Sequence, residues 1–587
     1  MSDTYFSVAI TGSGGTGAVT TGLIFLEAMA QQGYYGFMIR SAGPQIRGGE
    51  SAVMLNFSNH ELHSTNDYFD YLLAFDWFNI ERFIDEIPLN SNSHVIYNAK
   101  AGEIPESLKK SQPNFISVDL KKEAKNITGG RENMIGLGIL CSIFNINHES
   151  ISRAVNKVLG KKGAEVTQAA INAISHGTEI TEQKTHKLPE LSPINGERWS
   201  ISGNEACGLG ALNAGIEFVA AYPITPATEI LEWMSPRLEK LGGNLLQAED
   251  ELASINMIIG ASFGGIPSLT ATSGPGLSLM MEGLGLAVTS ETPLVVINVM
   301  RGGPSTGIPT KSEQSDLNIS LYGFHGDAPH LVLAPINISD AVFTTQWACY
   351  LAEQLQTVAI VLSDQSLGQS KVVIDKPKIH QNLESKRLLA KPLTEPEDTY
   401  LRYELTDSGI SPMSLPGMEH NMYTADGLEH NPQGTPSSMS SDHISQMDKR
   451  KNKILNFDYQ VDGQDFWAKI NSGEHEVDNQ TEPFNICLIS WGSASAMVNV
   501  AAKRLREKGH KVKVIAIRLI MPLQKEALIN AISQTAFVMV IEQNQGQQLF
   551  KYLHSQQAVP RNTLSFARPG PLPLRPGEIV AKVEEQL

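Results

Sequence analysis

Short apolar runs alternate with longer helical patterns in three separate stretches of the chain, which limits the fold to the α/β class. In the first stretch, the predicted elements are strands at Tyr5–Ile10, Gly36–Arg40, Tyr71–Phe75, His94–Tyr97 and Phe115–Val118, and a buried helix at Met134–Phe144. The pattern predicts an α/β domain over residues 1–185 with a largely parallel sheet. A polar linker is expected over residues 186–198.

The second and third stretches repeat this alternation. The predicted strands are Glu217–Ala221, Ser268–Thr272, Leu294–Met300 and Val358–Leu362 in a unit over residues 199–375, and Ile486–Ser490, Lys511–Arg518 and Ala536–Ile541 in a unit over residues 481–587. Between these units, residues 376–480 lose their periodicity, which indicates an extended connecting segment. The predicted fold is therefore three doubly wound open-sheet domains with a long irregular connection.

Charge and cysteine usage exclude several classes of function. The formal net charge is −16 at pH 7, which disfavours nucleic-acid binding because phosphate contacts need basic surface. The four cysteines are widely spaced and form no C-x-x-C pair, so no metal or iron–sulfur site is expected within this chain. The N-terminus lacks a basic region and no apolar run reaches about 18 residues. A cytoplasmic protein is expected.

The glycine-rich turn at Gly12–Gly17 leaves two interpretations open. It fits G-x-G-x-x-G between a strand and a helix, the dinucleotide-binding pattern. An NAD site also requires an acidic residue at the end of the second strand. Here that strand ends in Ile39-Arg40-Ser41. Arg40 could meet an NADP phosphate. A tight turn that simply needs small residues is the favoured interpretation.

The run Tyr222–Pro226 follows a predicted strand and precedes a helical pattern. Pro226 suits the first position of a helix, which makes Thr225 the expected N-cap. A hydroxyl group and free N–H groups at a positive helix end can hold a small carboxylate. The alternative is an ordinary capped helix.

Arg301 follows the apolar run Leu294–Met300, which is typical of a strand buried on both faces. Ligands of open α/β sheets bind at the carboxyl ends of such strands, and a guanidinium group matches a carboxylate. The segment Ser273–Gly276 follows another strand at the same edge. A solvated arginine in a loop is the alternative for Arg301.

Three acids, Glu249, Asp250 and Glu251, open a helix of small and apolar residues. Acids in a first turn usually complement the helix dipole. Because the helix beyond them is apolar, one of these acids is expected against packed structure, where it can serve as a proton partner.

The sequence resembles the 2-oxoacid:ferredoxin oxidoreductase family at three places taken together: Tyr222–Pro226, Glu251 and Arg301–Gly307. The resemblance covers nearly the whole chain and includes a gamma domain (Gly12–Gly17 and Arg47–Gly49), a pyrimidine-binding alpha domain (residues 200–375) and a transketolase C-terminal-like domain (Arg518–Pro522 and Glu542–Asn544). A gamma domain fused ahead of alpha is similar to the two-subunit 2-oxoglutarate type.

The resemblance implies roles for individual residues. Glu251 matches the glutamate that hydrogen-bonds N1′ of the aminopyrimidine of thiamine diphosphate and favours the imino tautomer that removes the thiazolium C2 proton. Thr225 and Arg301 match residues that hold the 2-oxoacid carboxylate. Arg47 matches a basic position that is expected to meet the far carboxylate of 2-oxoglutarate. Further cofactor contacts are expected from Tyr222, Ile224 and Ser273.

Two departures from the family pattern bear on partners. Ala227 stands where a serine is common, and no G-D-G followed by a distant Asn occurs, Gly326-Asp327-Ala328 being the nearest approach. The magnesium–diphosphate half of the site and a [4Fe–4S] cluster are therefore expected on a beta subunit, in an α2β2 assembly. The implied reaction converts 2-oxoglutarate, CoA and oxidised ferredoxin into succinyl-CoA, CO2 and reduced ferredoxin, or runs in reverse.

Alternatives remain open within and outside the family. Within it, pyruvate or another 2-oxoacid could be the substrate. Outside it, the chain could be an NADP-linked reductase that uses Gly12–Gly17, or a non-catalytic scaffold subunit.

Overall fold

The computed structural model describes residues 6–43, 49–180, 197–309, 311–393, 399–473 and 484–587. They form three open sheets and divide into two compact units. The first unit comprises Met1–Ser202, Gln369–Pro377 and Arg575–Gly577, and the second comprises Gly203–Gly368, Lys378–Leu574 and Glu578–Leu587. Within the described ranges, no helix has both the length and the apolar character needed to cross a membrane.

The first unit is built on one sheet with helices packed on it. Its strands are β1 (Phe6–Gly12), β2 (Tyr35–Ala42), β3 (Ser51–Ser58), β4 (Tyr71–Ala74), β5 (His94–Asn98), β6 (Asn114–Val118), β7 (Arg198–Ser202) and, far along the chain, β14 (Lys371–Asp375). Its α-helices are α1 (Ala18–Gln31), α2 (Glu106–Lys109), α3 (Leu120–Lys125), α4 (Glu132–Ile143), α5 (His148–Leu159) and α6 (Ala164–Ile180).

The strand order of this sheet is β6-β5-β4-β1-β3-β2-β14-β7. The first four strands in that order are parallel, whereas β3 pairs antiparallel with both β1 and β2, and β14 pairs antiparallel with β2 and β7. The prediction of a largely parallel sheet is therefore wrong for its second half. The cause is the hairpin that returns β3 beside β1, since the polar residues Ser51, Asn56 and Ser58 hid this strand in the sequence.

Both faces of the first sheet are covered by apolar packing. On one face, the Phe6 ring stacks on Phe57 and on Phe144, with centroids 5.3 and 4.6 Å apart. Helices α4 and α6 approach so closely that a Cβ at Gly138 would lie 2.1 Å from the Ile174 carbonyl oxygen. Two glycines, Gly138 and Gly177, permit this contact because a side chain at either would strike backbone.

The second unit holds the other two sheets. Its strands are β8 (Phe218–Ala221), β9 (Asn244–Gln247), β10 (Ser268–Thr272), β11 (Leu294–Met300), β12 (Leu331–Leu333), β13 (Val358–Asp364), β15 (Ala468–Asn471), β16 (Ile486–Trp491), β17 (Val512–Ile517), β18 (Leu519–Met521), β19 (Phe537–Glu542) and β20 (Leu564–Ala567). The helices that follow α6 are α7 (Gly203–Ala214), α8 (Thr228–Leu238), α9 (Glu251–Phe263), α10 (Gly274–Thr289), α11 (Leu317–Tyr322), α12 (Ile338–Leu355), α13 (Gln365–Gln369), α14 (Ser440–Leu455), α15 (Ala494–Glu507), α16 (Lys525–Ile532), α17 (Gln548–Ser555) and α18 (Pro576–Glu584).

The second sheet has the order β18-β12-β13-β11-β10-β8-β9 and the third β15-β17-β16-β19-β20. Each is parallel except for one edge strand, β18 or β15. Strands β10, β11 and β13 are buried along their whole length, as expected for parallel strands covered on both faces. The predicted strands of both sheets are thus found, and their carboxyl ends meet at one edge of each sheet.

Within the second unit, a buried ionic cluster around Glu291 joins the long connecting segment to the end of α10. Lys449 and Lys453 of α14 both donate from their ammonium groups to the Glu291 carboxylate, Lys453 at 2.8 Å. Arg402 donates to its backbone oxygen at 2.8 Å. Burial alone would raise the pKa of Glu291, but the two lysine charges outweigh burial and hold the pKa below its ordinary range. One buried carboxylate is thus surrounded by three buried basic side chains.

Glu291→Gln is expected to lower the opening free energy of the segment 399–455 by about 3–5 kcal/mol, because it leaves buried cations without a counter-charge. Amide hydrogen exchange at pH 7 measures this opening. Since the native-state pKa is depressed, the stabilisation is present above the unfolded pKa of about 4.3 and disappears as pH falls through the native value. Glu282→Gln, at an exposed position of α10, is the matched control. Equal protection in both variants would contradict the role of the cluster.

Candidate active site

Four segments leave neighbouring parallel strands at the same edge of the second sheet. Residues 222–227 follow β8, residues 248–251 follow β9, Ser273 follows β10, and Arg301 follows β11. Carboxyl edges of parallel sheets are where open α/β folds bind small ligands. The residues singled out in the second sequence stretch therefore converge on one edge, as the strand pattern predicts.

Glu251 begins α9 but does not cap it. The capping role falls to Asp250, whose Oδ1 accepts from the Ala253 N–H at 2.7 Å. Glu251 is turned inward and is only 6% exposed, and across the described ranges its carboxylate has no hydrogen bond or ion pair. The residue as a whole is buried, but its carboxylate oxygens keep contact with solvent, so they are open to a donor from a bound ligand.

The carboxylate of Glu251 lies against the first turn of α10. A Cβ at Gly276 would lie 2.7 Å from Glu251 Oε1 and 2.1 Å from Thr272 Oγ1. Just before this turn, Ser273 is fully buried, and its hydroxyl has no partner in the part of the chain that the structure describes. Glycine at position 276 therefore lets Thr272 and the Glu251 side chain pack directly against the first turn of α10.

Thr225 lies in a turn before α8, not at the helix cap. The Ile224 carbonyl accepts from the N–H groups of Ala227 and Thr228 at 2.8 and 3.1 Å, and the helix begins at Thr228. The Thr225–Pro226 peptide is cis. The prediction that Thr225 is the N-cap is therefore wrong, because this turn occupies the two residues between it and the helix.

Arg301 and Thr225 are brought together. Arg301 Nη1 donates to the Thr225 carbonyl oxygen at 2.9 Å. Its Nε is buried and, among the described residues, has no acceptor. Burial lowers the pKa of Arg301 and the nearby charge of Asp316 opposes this effect. A half-buried guanidinium with an unused donor, held at a sheet edge, is suited to bind a carboxylate.

Asp316 is a member of the site that the sequence did not indicate. Asn298, the fifth residue of β11, donates from Nδ2 to Asp316 Oδ2 at 3.0 Å. Both Asp316 oxygens would lie within 2.9 Å of a Cβ at Gly274, the first residue of α10. In the sequence, Asp316 is only one of several polar residues in the loop after Arg301. That position alone does not predict its contact with Asn298.

Three further residues, Tyr222, Ile224 and Arg47, were predicted to belong to the site. Tyr222 is 40% exposed at the end of β8, and Ile224 is half-buried in the turn that precedes α8. Both flank Thr225 at the carboxyl edge of the sheet. Arg47 lies outside the described residues, so its predicted substrate contact stays a prediction.

A second candidate site is a cavity of about 1000 Å3 in the first unit. It lies at the carboxyl ends of β1, β4, β5 and β6, beside the glycine turn Gly15–Gly17. Helices α1 and α4 both begin at it, and side chains of the described structure cap neither N-terminus. Two convergent helix N-termini favour an anion.

Basic side chains surround this cavity. Four of them have side chains without a hydrogen bond or ion pair to any other described residue: Lys121, Lys125, Arg131 and Lys162. These free cations and the open N–H groups suit a phosphorylated ligand.

The cavity does not reproduce the dinucleotide arrangement. In that arrangement the second strand lies beside the first, but here β3 separates β2 from β1. Arg40 on β2 donates to the Gln369 carbonyl oxygen at 3.5 Å. A Cβ at Gly12 would lie 2.5 Å from Thr16 Oγ1, and Gly17 has φ of 87°. These contacts favour the tight-turn interpretation of Gly12–Gly17.

Three open α/β sheets, the second with Arg301 and Glu251 at its carboxyl edge, are typical of doubly wound proteins that bind small molecules at strand ends. Three family profiles match the sequence: pyruvate ferredoxin/flavodoxin oxidoreductase over residues 7–180, the thiamine-diphosphate-binding part of pyruvate flavodoxin/ferredoxin oxidoreductase over residues 209–449, and the transketolase C-terminal domain over residues 474–548.

Individual relatives agree with these profiles. A 2-oxoglutarate oxidoreductase subunit KorA of Mycobacterium tuberculosis is 30% identical over 88% of this chain and 82% of its own length. A 2-oxoacid:ferredoxin oxidoreductase subunit alpha of Saccharolobus solfataricus is 29% identical over 91% of this chain and 90% of its own. The solved 2-oxoglutarate:ferredoxin oxidoreductase of Magnetococcus marinus, which holds 2-oxoglutarate, coenzyme A and succinyl-CoA, matches over 100% of both chains with a TM-score of 0.89 and 33% identity.

This chain therefore belongs to the 2-oxoacid:ferredoxin oxidoreductase family. The resemblance and the fold class predicted from the sequence are confirmed.

The close approach at Gly276 gives a test of the site. Gly276→Ala should destabilise the second unit by about 1–3 kcal/mol, because the new methyl group displaces Thr272 or Glu251. Gly285→Ala in the same helix is the matched control, since its methyl group would meet nothing within 4 Å and should stabilise by about 0.5–1 kcal/mol. Urea unfolding monitored on the second unit measures both. Equal effects would mean that Gly276 does not face the carboxylate.

Proposed function

We propose that this chain is the fused gamma–alpha subunit of a thiamine-diphosphate-dependent 2-oxoglutarate:ferredoxin oxidoreductase. The reaction converts 2-oxoglutarate, CoA and oxidised ferredoxin into succinyl-CoA, CO2 and reduced ferredoxin, or runs in reverse. The observation that carries the proposal is that Glu251, a largely buried residue whose carboxylate has no partner among the described residues, lies at the sheet edge that also holds Thr225 and Arg301. The likeness to the Magnetococcus marinus enzyme supports the choice of 2-oxoglutarate.

The residues at the starts of α9 and α10 suit the aminopyrimidine of thiamine diphosphate. Glu251 supplies an unpaired acceptor and Ser273 an unused hydroxyl, and Gly276 lets the Glu251 side chain lie against the first turn of α10. Tyr222 and Ile224 complete the predicted cofactor contacts from the neighbouring turn. When bound, the cofactor supplies a nucleophilic carbon for attack on the 2-oxo carbon. Glu251 holds or accepts the proton at the pyrimidine N1′ position.

Arg301 and Thr225 hold the carboxylate of the 2-oxoacid. The guanidinium of Arg301 is steadied by the Thr225 carbonyl and keeps its Nε donor for a ligand. Holding the carboxylate orients the adjacent carbonyl group for attack, an entropic contribution to rate. Arg47 stays our proposal for the far carboxylate of 2-oxoglutarate.

The phosphates of CoA fit the cavity of the first unit. Two uncapped helix N-termini and four free basic side chains meet there, which is the chemistry that a pyrophosphate needs.

A partner is needed for the remaining chemistry. All four cysteines are buried, and burial raises the pKa of the thiols of Cys207 and Cys487 to about 11 and about 12. Such thiols are poor cluster ligands. This supports a [4Fe–4S] cluster on a beta subunit. Our proposal also places magnesium on that subunit, with ferredoxin as electron acceptor, an α2β2 assembly and a cytoplasmic location.

Glu251→Gln in the reconstituted complex is expected to lower turnover of 2-oxoglutarate by about 10²–10⁴-fold, since the amide cannot take the proton role of the carboxylate. Acceptor reduction measures turnover, and gel filtration checks that the complex still assembles. Glu249→Gln, two residues earlier and exposed, is the matched control and should keep full activity. Undiminished turnover in the Glu251 variant would refute the proposal.

The same complex separates the alternatives. Faster turnover of pyruvate than of 2-oxoglutarate would keep the family and change the substrate. Tight, saturable NADPH binding without oxoacid turnover would favour the reductase. Assembly without either activity would favour a scaffold subunit.

Paired substitution of Lys125 and Arg131 by alanine should raise the KM for CoA by about tenfold or more and leave the KM for 2-oxoglutarate unchanged, because only the phosphate contacts are lost. Steady-state kinetics with each substrate varied in turn measure the difference. Lys122→Ala is the control, since Lys122 lies on α3 but does not line the cavity. A parallel rise in both KM values would place CoA elsewhere.

A further inference from the structure

The carboxyl edge of the third sheet binds a loop of the chain itself. This linking loop (residues 311–316) lies after Arg301 in the sequence and directly precedes α11. Strands β16, β19 and β20 are parallel, and residues at or just beyond the carboxyl end of each of them contact the linking loop. In open α/β folds this edge is where a ligand ordinarily binds. Here the three strand ends hold a segment that belongs to the second sheet.

Gln314 makes the central contacts between the linking loop and the third sheet. Its backbone N–H donates to the Gln543 carbonyl oxygen, and its Oε1 accepts from the Gln543 N–H, both at 2.8 Å. Its Nε2 donates to the carbonyl oxygen of Trp491, the last residue of β16, at 2.8 Å. Glu313 accepts from the Gly570 N–H at 3.2 Å. Because Gln314 is fully buried, these hydrogen bonds fix the loop strongly.

Gln548, the first residue of α17, holds the end of the linking loop. Its Nε2 donates to the Ser315 carbonyl oxygen at 2.8 Å. Its Oε1 accepts from the N–H of Asn318, in the first turn of α11, at 2.9 Å. One half-buried side chain of the third sheet's helix thus binds the backbone on both sides of the start of α11.

Two residues of the transketolase C-terminal-like motif, Glu542 and Asn544, fix the start of α17. The fully buried carboxylate of Glu542 accepts from the N–H groups of Leu549 and Phe550 at 2.9 and 3.1 Å. Asn544 Oδ1 accepts from the Gln548 N–H at 3.3 Å. These bonds satisfy the free donors of a first helical turn. The backbone of Gln548 is therefore held in place beside the linking loop.

On its other side, the linking loop binds the peptide group that joins Arg301 to Gly302. Ser315 Oγ donates to the Arg301 carbonyl oxygen at 3.2 Å. The Gly302 N–H donates to the Lys311 carbonyl oxygen at 2.9 Å. Because a peptide group is planar, holding its C=O and its N–H fixes the backbone of Arg301. From this backbone the guanidinium extends to the Thr225 carbonyl oxygen.

We propose that the third sheet positions Arg301 for the substrate carboxylate, and that Gln548 is the positioning residue through which it acts. Gln548 holds the Ser315 carbonyl group, and the Ser315 hydroxyl group holds the Arg301 carbonyl oxygen. This inference rests on the proposed function, because that function assigns Arg301 to the substrate carboxylate. The role of Gln548 in the reaction is indirect, since it contacts the linking loop and α11.

Gln548→Met keeps the length of the side chain and removes both of its hydrogen bonds. In the full-length chain, amide hydrogen exchange at Asn318 should become faster because its acceptor is lost. Exchange at Gly302 should also become faster, by about 3- to 10-fold, because the linking loop holds that peptide less firmly. Gln556→Met, at an exposed position just after α17, is the matched control and should leave both amides unchanged. Unchanged exchange at Gly302 in Gln548→Met would overturn the proposal.

In the reconstituted complex, Gln548→Met should raise the KM for 2-oxoglutarate by about 3- to 10-fold, because the guanidinium is held less well for the carboxylate. The KM for CoA should stay unchanged, since the residues proposed for CoA lie in the first unit. Partial loss of folding lowers the amount of active enzyme and leaves both KM values unchanged, so it does not produce this difference. A rise in both KM values, or in neither, would contradict the positioning role.

Ser315→Ala tests the series of hydrogen bonds from Gln548 to Arg301. It removes the bond to the Arg301 carbonyl oxygen and should also raise the KM for 2-oxoglutarate. If Gln548 acts through Ser315, the double variant should raise this KM by less than the product of the two separate factors. A factor equal to that product would mean that Gln548 acts elsewhere, and the proposal would fail. The midpoint of thermal unfolding reports whether each variant is folded.

The exchange measurement requires no turnover, so failure of this inference and failure of the proposed function are distinguishable. A wild-type complex that turns over no 2-oxoacid would refute the proposed function and, with it, the substrate role of Arg301. Faster exchange at Gly302 would then still support the structural connection from Gln548 to Arg301. If wild type is active and Gln548→Met behaves like Gln556→Met, only the positioning role is refuted.

Discussion

Glu251 is a largely buried residue beside the first turn of α10, and no described residue of the protein neutralises or hydrogen-bonds its carboxylate. An unpaired acceptor at the carboxyl edge of a sheet is open to a donor from a ligand. Parallel strands β8–β11 bring its helix to the edge where Thr225 and Arg301 also lie. Asp250 takes the capping role, which frees Glu251 to face inward. The chemistry that we propose depends on Asp250 capping the helix while Glu251 remains available to a ligand.

The charged side chains at this edge do not form direct ion pairs with one another among the described residues. Glu251 and Asp316 lie against Gly276 and Gly274, on one helical turn. Arg301 donates to the Thr225 carbonyl oxygen and, among the described residues, has no direct ion pair. By contrast, the cluster around Glu291 joins carboxylate and ammonium groups directly. The ion-paired cluster around Glu291 stabilises the packing of the connecting segment. The unpaired groups at the sheet edge remain available to bind ligands.

Much of the fold could be predicted because apolar periodicity survives wherever a strand is buried on both faces, as in β10, β11 and β13. Strand β3 was missed because polar Ser51, Asn56 and Ser58 interrupt the apolar pattern of a buried hairpin. Helix α8 starts later than Thr225 because a turn stabilised by the Ile224 carbonyl precedes it, and such a turn leaves little mark on composition. Asp316 was missed because its contact with Asn298 depends on side-chain direction.

The sequence by itself determined the class of each domain, the family, and the residue types at the strand ends, since these follow from local periodicity and short motifs. It also placed Glu251 and Arg301 at strand ends that a parallel sheet must bring together. Only the tertiary structure decided that Asp250 caps α9 while Glu251 is buried, that Arg301 contacts the Thr225 carbonyl, and that Asp316 contacts Asn298. These outcomes depend on packing between segments distant in the chain, which local sequence patterns do not encode.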